Sequence, residues 1–88
     1  MKIKENYTLR QIAGSWVVLS LADATVNFNG MLTLNETGVE LWRLLETGEA
    51  TRESLATYLT EDYDVSYDQA LADVDAFLLK LVNAGCIV

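Results

Sequence analysis

Three aspartates, Asp68, Asp73 and Asp75, fall close together in a segment with helical spacing, and an acidic run, Glu61-Asp62-Tyr63-Asp64, precedes them. Paired carboxylates can share acid and base roles only where a cleft raises one pKa. Asp68 is better explained as a favourable charge in a first helical turn. The acidic run resembles a calcium-loop fragment, but it lacks the glycine and the distal bidentate glutamate of such a loop and reads as solvated. The chain has no histidine, so Ser-His and Cys-His nucleophilic pairs cannot be built, and the commonest zinc ligand is missing. Cys86 is the single cysteine. It cannot form an intramolecular disulfide, a thiolate zinc cage or an iron–sulfur site, which suits a reducing compartment. It follows Gly85 after a helix and reads as a packed thiol more than a reactive one. No phosphate-binding glycine loop is present; the five glycines sit at turns and helix boundaries. The sequence therefore shows no catalytic constellation and calls for no cofactor or metal.

The elements that position these residues change character near Asn35. Before it, β-branched and aromatic residues cluster in short runs. After it, Leu, Ala and Glu recur at helical spacing. Strands followed by helices predict an α+β domain, and 88 residues, 51% of them hydrophobic, suit one core spanning residues 1–88. Residues 1–6 are expected to be mobile. Tyr7 to Ile12 and Trp16 to Leu21 read as a hairpin around Ala13-Gly14-Ser15. Val26 and Phe28 alternate with polar residues, Asn29-Gly30 is a strong type I′ turn signal, and Met31 to Leu34 is the return strand. The sheet is expected to be antiparallel, with three strands, or four if the Val26 run counts separately.

Helix one is expected from Asn35, whose side chain can cap it, with Leu34 and Val39 as a hydrophobic staple. Thr37 with Glu40 is a competing capping box. Val39, Leu41, Trp42 and Leu45 are its buried residues, and Gly48 ends it. Helix two is capped by Thr51, runs to about Asp62 and turns Leu55, Ala56 and Leu59 inward. Helix three is capped by Ser66, with Gln69 completing a capping box, and runs to about Ala84 before Gly85. Along it Tyr67, Ala70, Leu71, Val74, Phe77, Leu78, Leu81, Val82 and Ala84 span an arc of about 160°, wider than one core face needs. The surplus fits either a groove wall or packing against both helices and sheet.

The net charge of −7 is uneven. Residues 1–34 carry three basic side chains (Lys2, Lys4, Arg10) and two acidic ones (Glu5, Asp23), a net +1; residues 35–88 carry three basic and eleven acidic ones, a net −8. Strands and three helices fit a winged helix-turn-helix, which raises DNA binding. A third helix with three aspartates and only Lys80 lacks the phosphate attraction that DNA affinity rests on, so no nucleic-acid partner is expected. The longest apolar run is too short to span a bilayer, and the N-terminal residues lack the apolar stretch of a signal peptide. No membrane partner is expected, and the cytoplasm is the default. Exposed strand edges leave monomer and homodimer both open.

The order of residues resembles one family across about Tyr7 to Val88. A tyrosine-led strand and an apolar strand precede Asn29-Gly30-Met31-Leu32-Thr33-Leu34-Asn35-Glu36-Thr37-Gly38, then Leu41-Trp42 and Leu45. Tyr63-Asp64-Val65, Asp73-Val74, Phe77-Leu78, Leu81 and Ala84-Gly85 follow. This is similar to the PqqD family of pyrroloquinoline quinone biosynthesis and its relatives, the RiPP recognition elements. The resemblance implies a winged helix-turn-helix that binds no DNA. It implies a non-catalytic adaptor that takes the leader of a ribosomally made precursor peptide as an added strand beside the third helix. It also implies a modifying enzyme as partner, often a radical S-adenosylmethionine (radical SAM) enzyme. Carried to matching positions, the peptide-binding strand residues are Met31, Leu32, Thr33 and Leu34. The helix residues are Asp73, Val74, Phe77, Leu78 and Leu81. Val74, Leu78 and Leu81 also have a reading as core; Phe77 lies nearer the edge of the arc, and Asp73, just outside it, could pair with a leader Lys or Arg. The residues Asp23 to Asn27 lengthen the stretch before Met31 relative to the shortest relatives, which leaves open which strand is the free edge.

Overall fold

A computed structural model describes residues 2–4, 7–20 and 32–87. Among them an antiparallel sheet of three strands, β1 (Tyr7–Ile12), β2 (Ser15–Ser20) and β3 (Leu32–Leu34), precedes three helices, α1 (Glu36–Glu46), α2 (Arg52–Asp62) and α3 (Tyr67–Asn83). The fold is α+β, a winged helix-turn-helix. The Val26 run, the Asn29-Gly30 turn and Met31 lie outside the described residues.

The strands are ordered β1-β2-β3, so β2 is central. Its register sets Leu9, Val18 and Leu32 side by side, and Trp16 beside Leu34. Side chains alternate along a strand, so this row faces the helices. Val18 is fully buried. The first hairpin is tighter than its sequence suggests: Ile12 pairs with Ser15, which leaves only Ala13-Gly14 as the loop. Both have positive φ, 53° and 83°, as a two-residue type I′ turn needs if it is to follow the strand twist. Ser15 therefore belongs to β2. Residues 2–4 lie against the other end of the chain: Ile3 bridges Ile87, and the Lys4 N–H donates to the Cys86 carbonyl at 2.8 Å.

Each helix begins where a side chain satisfies backbone donors that the first turn leaves free. Asn35 Oδ1 accepts from the Gly38 N–H at 2.8 Å, and the flanking Leu34 and Val39 are both buried, as a staple requires. Thr51 and Ser54 form a complete reciprocal box at α2. At α3 only half of the expected box forms. Ser66 Oγ accepts from the Gln69 N–H, but the Gln69 amide turns forward to donate to Asp73 Oδ1 at 2.9 Å. The Gln69 amide donates to the Asp73 carboxylate one turn ahead, a charge-assisted bond, instead of turning its oxygen back to accept from the Ser66 N–H.

The helices close over the sheet with Trp42, Leu45, Leu55, Val74 and Leu81 among the fully buried side chains. Cys86, after α3, is buried with them, and burial pushes its thiol pKa up. Asn35→Ala is expected to cost about 1 kcal/mol, because it orphans the Gly38 N–H at a half-buried helix end. Urea unfolding checks this, and a midpoint unchanged from wild type would remove the cap from the account.

Candidate functional site

A groove of about 850 Å³ opens between β3, the first turn of α1 and one flank of α3. Thr33, Leu34 and Asn35 form one side; Asp73, Ala76, Phe77 and Lys80 form the other; Tyr63 and Val65, in the α2–α3 connection, flank it. Leu59 and Leu41 reach it from beneath. Two local features keep it open. β3 pairs only with β2, so among the described residues nothing takes up the backbone donors and acceptors of its other edge. Gly38 has no side chain to fill the space: a Cβ there would sit 3.3 Å from Leu34 Cβ and 3.4 Å from Phe77 Cε1.

The expected site residues divide clearly. Thr33, Leu34, Asp73 and Phe77 line the groove. Thr33 is exposed, Leu34 buried and Phe77 9% exposed, its ring forming part of the wall. Leu32 and Leu78 are half-buried and pack against the core without lining the groove. Val74 and Leu81 have no exposed surface; their i to i+7 spacing puts both on the face that α3 turns into the core. Met31 lies outside the described residues.

The wide arc of α3 resolves in an unexpected sense. Ala70, Val74, Phe77 and Leu81 are buried, whereas Tyr67 and Val82 are 44% and 59% exposed. At 100° per residue, these two lie on the flank away from Asp73, Ala76 and Lys80. The apolar surplus thus faces away from the groove, and Phe77 is the only arc residue that lines it. The groove flank is polar and small instead. Sequence patterning does not mark Lys80 or Ala76 as site residues, although Lys80 repeats Asp73 after two turns and so shares its face. Tyr63 and Val65 belong to the family resemblance, which by itself assigns them no role.

Tyr63 ties the groove's rim together. Thr37 Oγ1 donates to Tyr63 Oη at 3.5 Å, and Tyr63 Oη donates to Glu40 Oε2. The hydrogen bond to the Glu40 carboxylate holds the Tyr63 phenol pKa above its ordinary value. A folded-state pKa raised above the unfolded one contributes stability that is fully present below the ordinary tyrosine pKa. That contribution is lost as pH rises through the raised value. Glu40 also helps to raise the Tyr58 phenol, so tyrosine ultraviolet titration should show phenol ionisation at lower pH in Glu40→Gln than in wild type, with Tyr63 shifting most. Superimposable titrations would dismiss the Glu40 contact.

Elsewhere on the helices, Arg52 and Asp75 form a two-pronged pair, with Arg52 Nη2 2.8 Å from Asp75 Oδ2. The hydrogen bond from Arg52 holds the Asp75 carboxyl below the usual range and raises the guanidinium pKa. The pair is exposed and removes one of the helical half's few cations from any role with phosphate. With Asp68 and Asp73 also exposed, α3 presents a surface that repels a nucleic-acid backbone. Among the described residues no group of three potential metal-binding side chains converges, and no helix is long and apolar enough to cross a membrane.

The same architecture occurs in two solved structures. The chain is 26% identical to TbiB1 in complex with the TbiA(beta) leader peptide, with a TM-score of 0.78 over 99% of this chain and 94% of that one. It is 21% identical to a lasso peptide synthetase B1 complexed with the leader peptide, with a TM-score of 0.77 over 99% and 95%; at that identity the likeness speaks to the fold alone. Among curated proteins no sequence matches significantly. The family model described as coenzyme PQQ synthesis protein D matches residues 15–87, and that span, from the central strand to the bridge at Ile87, makes this chain a member of the PqqD family.

Proposed function

We propose that this chain is a non-catalytic adaptor that binds the leader of a ribosomally made precursor peptide. The leader adds as a strand to β3 and fills the groove beside α3. The adaptor then presents the peptide to a modifying enzyme, for which a radical SAM enzyme is one candidate class. One observation carries the reading: a strand edge of β3 that is unpaired among the described residues borders an open groove walled by α3. Likeness to TbiB1, solved in complex with a leader peptide, supports it. Strand addition suits such a site physically. Backbone hydrogen bonds supply sequence-tolerant affinity, while Leu34, Leu59, Val65 and Phe77 give alternate peptide side chains an apolar bed. The proposed contacts are Thr33, Leu34, Asp73 and Phe77, with Leu32 and the outlying Met31 extending the strand. Val74, Leu78 and Leu81 hold α3 in place beneath.

The test is an amide-shift titration with a leader peptide encoded beside this gene. Shifts should concentrate at Leu32–Leu34, Gly38 and Asp73–Lys80. Saturating peptide at millimolar concentration with no localised shifts would overturn the reading. Capture of the modifying enzyme by a chain with no peptide affinity would replace it with a plain docking role.

A further inference from the structure

Asp73 and Lys80 are the only charged side chains lining the groove among the described residues. Among the described residues neither is paired with an opposite charge. The Arg52–Asp75 pair is the one salt bridge among the described residues, and Asp73 meets only the neutral amide of Gln69, which steadies it at 2.9 Å. Seven residues separate them, about 10.5 Å along the helix and within about 20° of one face. Phe77 lies between them and lines the same wall. The α3 wall is therefore bipolar: an anion, an aromatic ring and a cation in sequence.

We infer that this wall selects peptides with a charge pattern, and that Asp73 and Lys80 are its specificity determinants; the inference rests on the peptide-binding reading above. An extended strand rises about 3.3 Å per residue, and its side chains alternate between faces. Peptide residues facing α3 must therefore be an even number of positions apart. Two positions, about 6.6 Å, fall short of the Asp73–Lys80 separation. Four positions, about 13 Å, exceed it by less than the reach of a lysine stem. The matching peptide carries Lys or Arg, then any residue, an apolar residue, any residue, and Asp or Glu, or the same five positions with the signs exchanged. The apolar residue meets Phe77. The order of the signs reports which way the strand runs along β3. Opposite charges on one wall also disfavour indiscriminate capture of basic peptides: a purely cationic segment gains at Asp73 and loses at Lys80.

The experiment pans a display library of random peptides against the immobilised full chain and measures enriched peptides by fluorescence anisotropy. Binding is compared between wild type and the double variant Asp73→Lys with Lys80→Asp. Both positions are exposed, so the double variant should fold, which thermal unfolding verifies. Enriched peptides should share the five-position pattern in one sign order. Neutralising either peptide charge should weaken binding about 3- to 5-fold, less at high salt. The double variant should prefer the opposite sign order. Peptides that bind in the groove without a charge pair, or a double variant that keeps the wild-type order, would overturn the inference and leave the groove reading standing. No peptide bound by any form would remove the groove reading, and the inference with it.

Discussion

Trp42→Ala should destabilise the fold by about 3–5 kcal/mol, the usual cost of emptying a large aromatic site in a core. Trp42 is fully buried in α1. A chain of this length holds roughly 4–13 kcal/mol in all, so the variant loses a large part of its margin. Its melting temperature should fall by more than about 12 °C. The indole carries a further signature, because its Nε1–H is buried without a hydrogen-bond partner among the described residues. A buried unpaired donor costs about 1–3 kcal/mol. Trp42→Phe removes that donor along with part of the ring, so the two effects oppose each other. Its net cost should stay below about 1.5 kcal/mol, near that of a volume-conserving swap. Urea and thermal unfolding of both variants decide the point. A Phe variant as unstable as the Ala variant would mean that the indole N–H contributes to stability.

Ala76→Trp should lower leader-peptide affinity more than tenfold while leaving the melting temperature within a few degrees of wild type. Ala76 is exposed on α3 and lines the groove between Asp73 and Lys80. An indole there occupies space that an added strand would need, and it disturbs no buried contact. Exposed helix positions away from caps and core usually tolerate substitution within about 0.5 kcal/mol. Ala72→Trp is the matched control: the position is also exposed on the same helix but lies outside the groove. Anisotropy titration of a labelled leader peptide against the two variants separates site from surface. Equal affinities for both would move the peptide elsewhere on the molecule.

Much of the scaffold is legible because its signals are local. Asn35, Thr51 and Ser66 each cap the helix that follows, since a short polar side chain reaches its own first turn whatever the rest of the fold does. Gly48 and Gly85 stand at positive φ just past α1 and α3, where a residue without Cβ costs least. The inward residues of α2 follow from helical periodicity alone. Signals that depend on competition between neighbours fare worse. Gln69 can accept from the Ser66 N–H behind it or donate to a carboxylate ahead, and only the geometry of α3 shows that it donates to Asp73.

The site was legible to a lesser degree, for a reason of range. Sequence marks Phe77 as an edge residue and Asp73 as its polar neighbour, and both line the groove. Periodicity shows that α3 has more apolar surface than one core face needs. It cannot show which flank of the helix meets β3 and which meets solvent, because that depends on the angle at which α3 crosses the sheet. The apolar flank with Tyr67 and Val82 turned outward, and the flank with Asp73, Ala76 and Lys80 turned to the groove. Tyr63 joined the rim through Glu40, 23 residues earlier in the chain. By itself, then, the sequence determined the elements, their caps, the acidic third helix and the absence of a histidine-based catalytic pair. The tertiary structure alone decided that β3's edge, Gly38 and a bipolar face of α3 enclose one groove, because packing sets the distances between residues far apart in the chain.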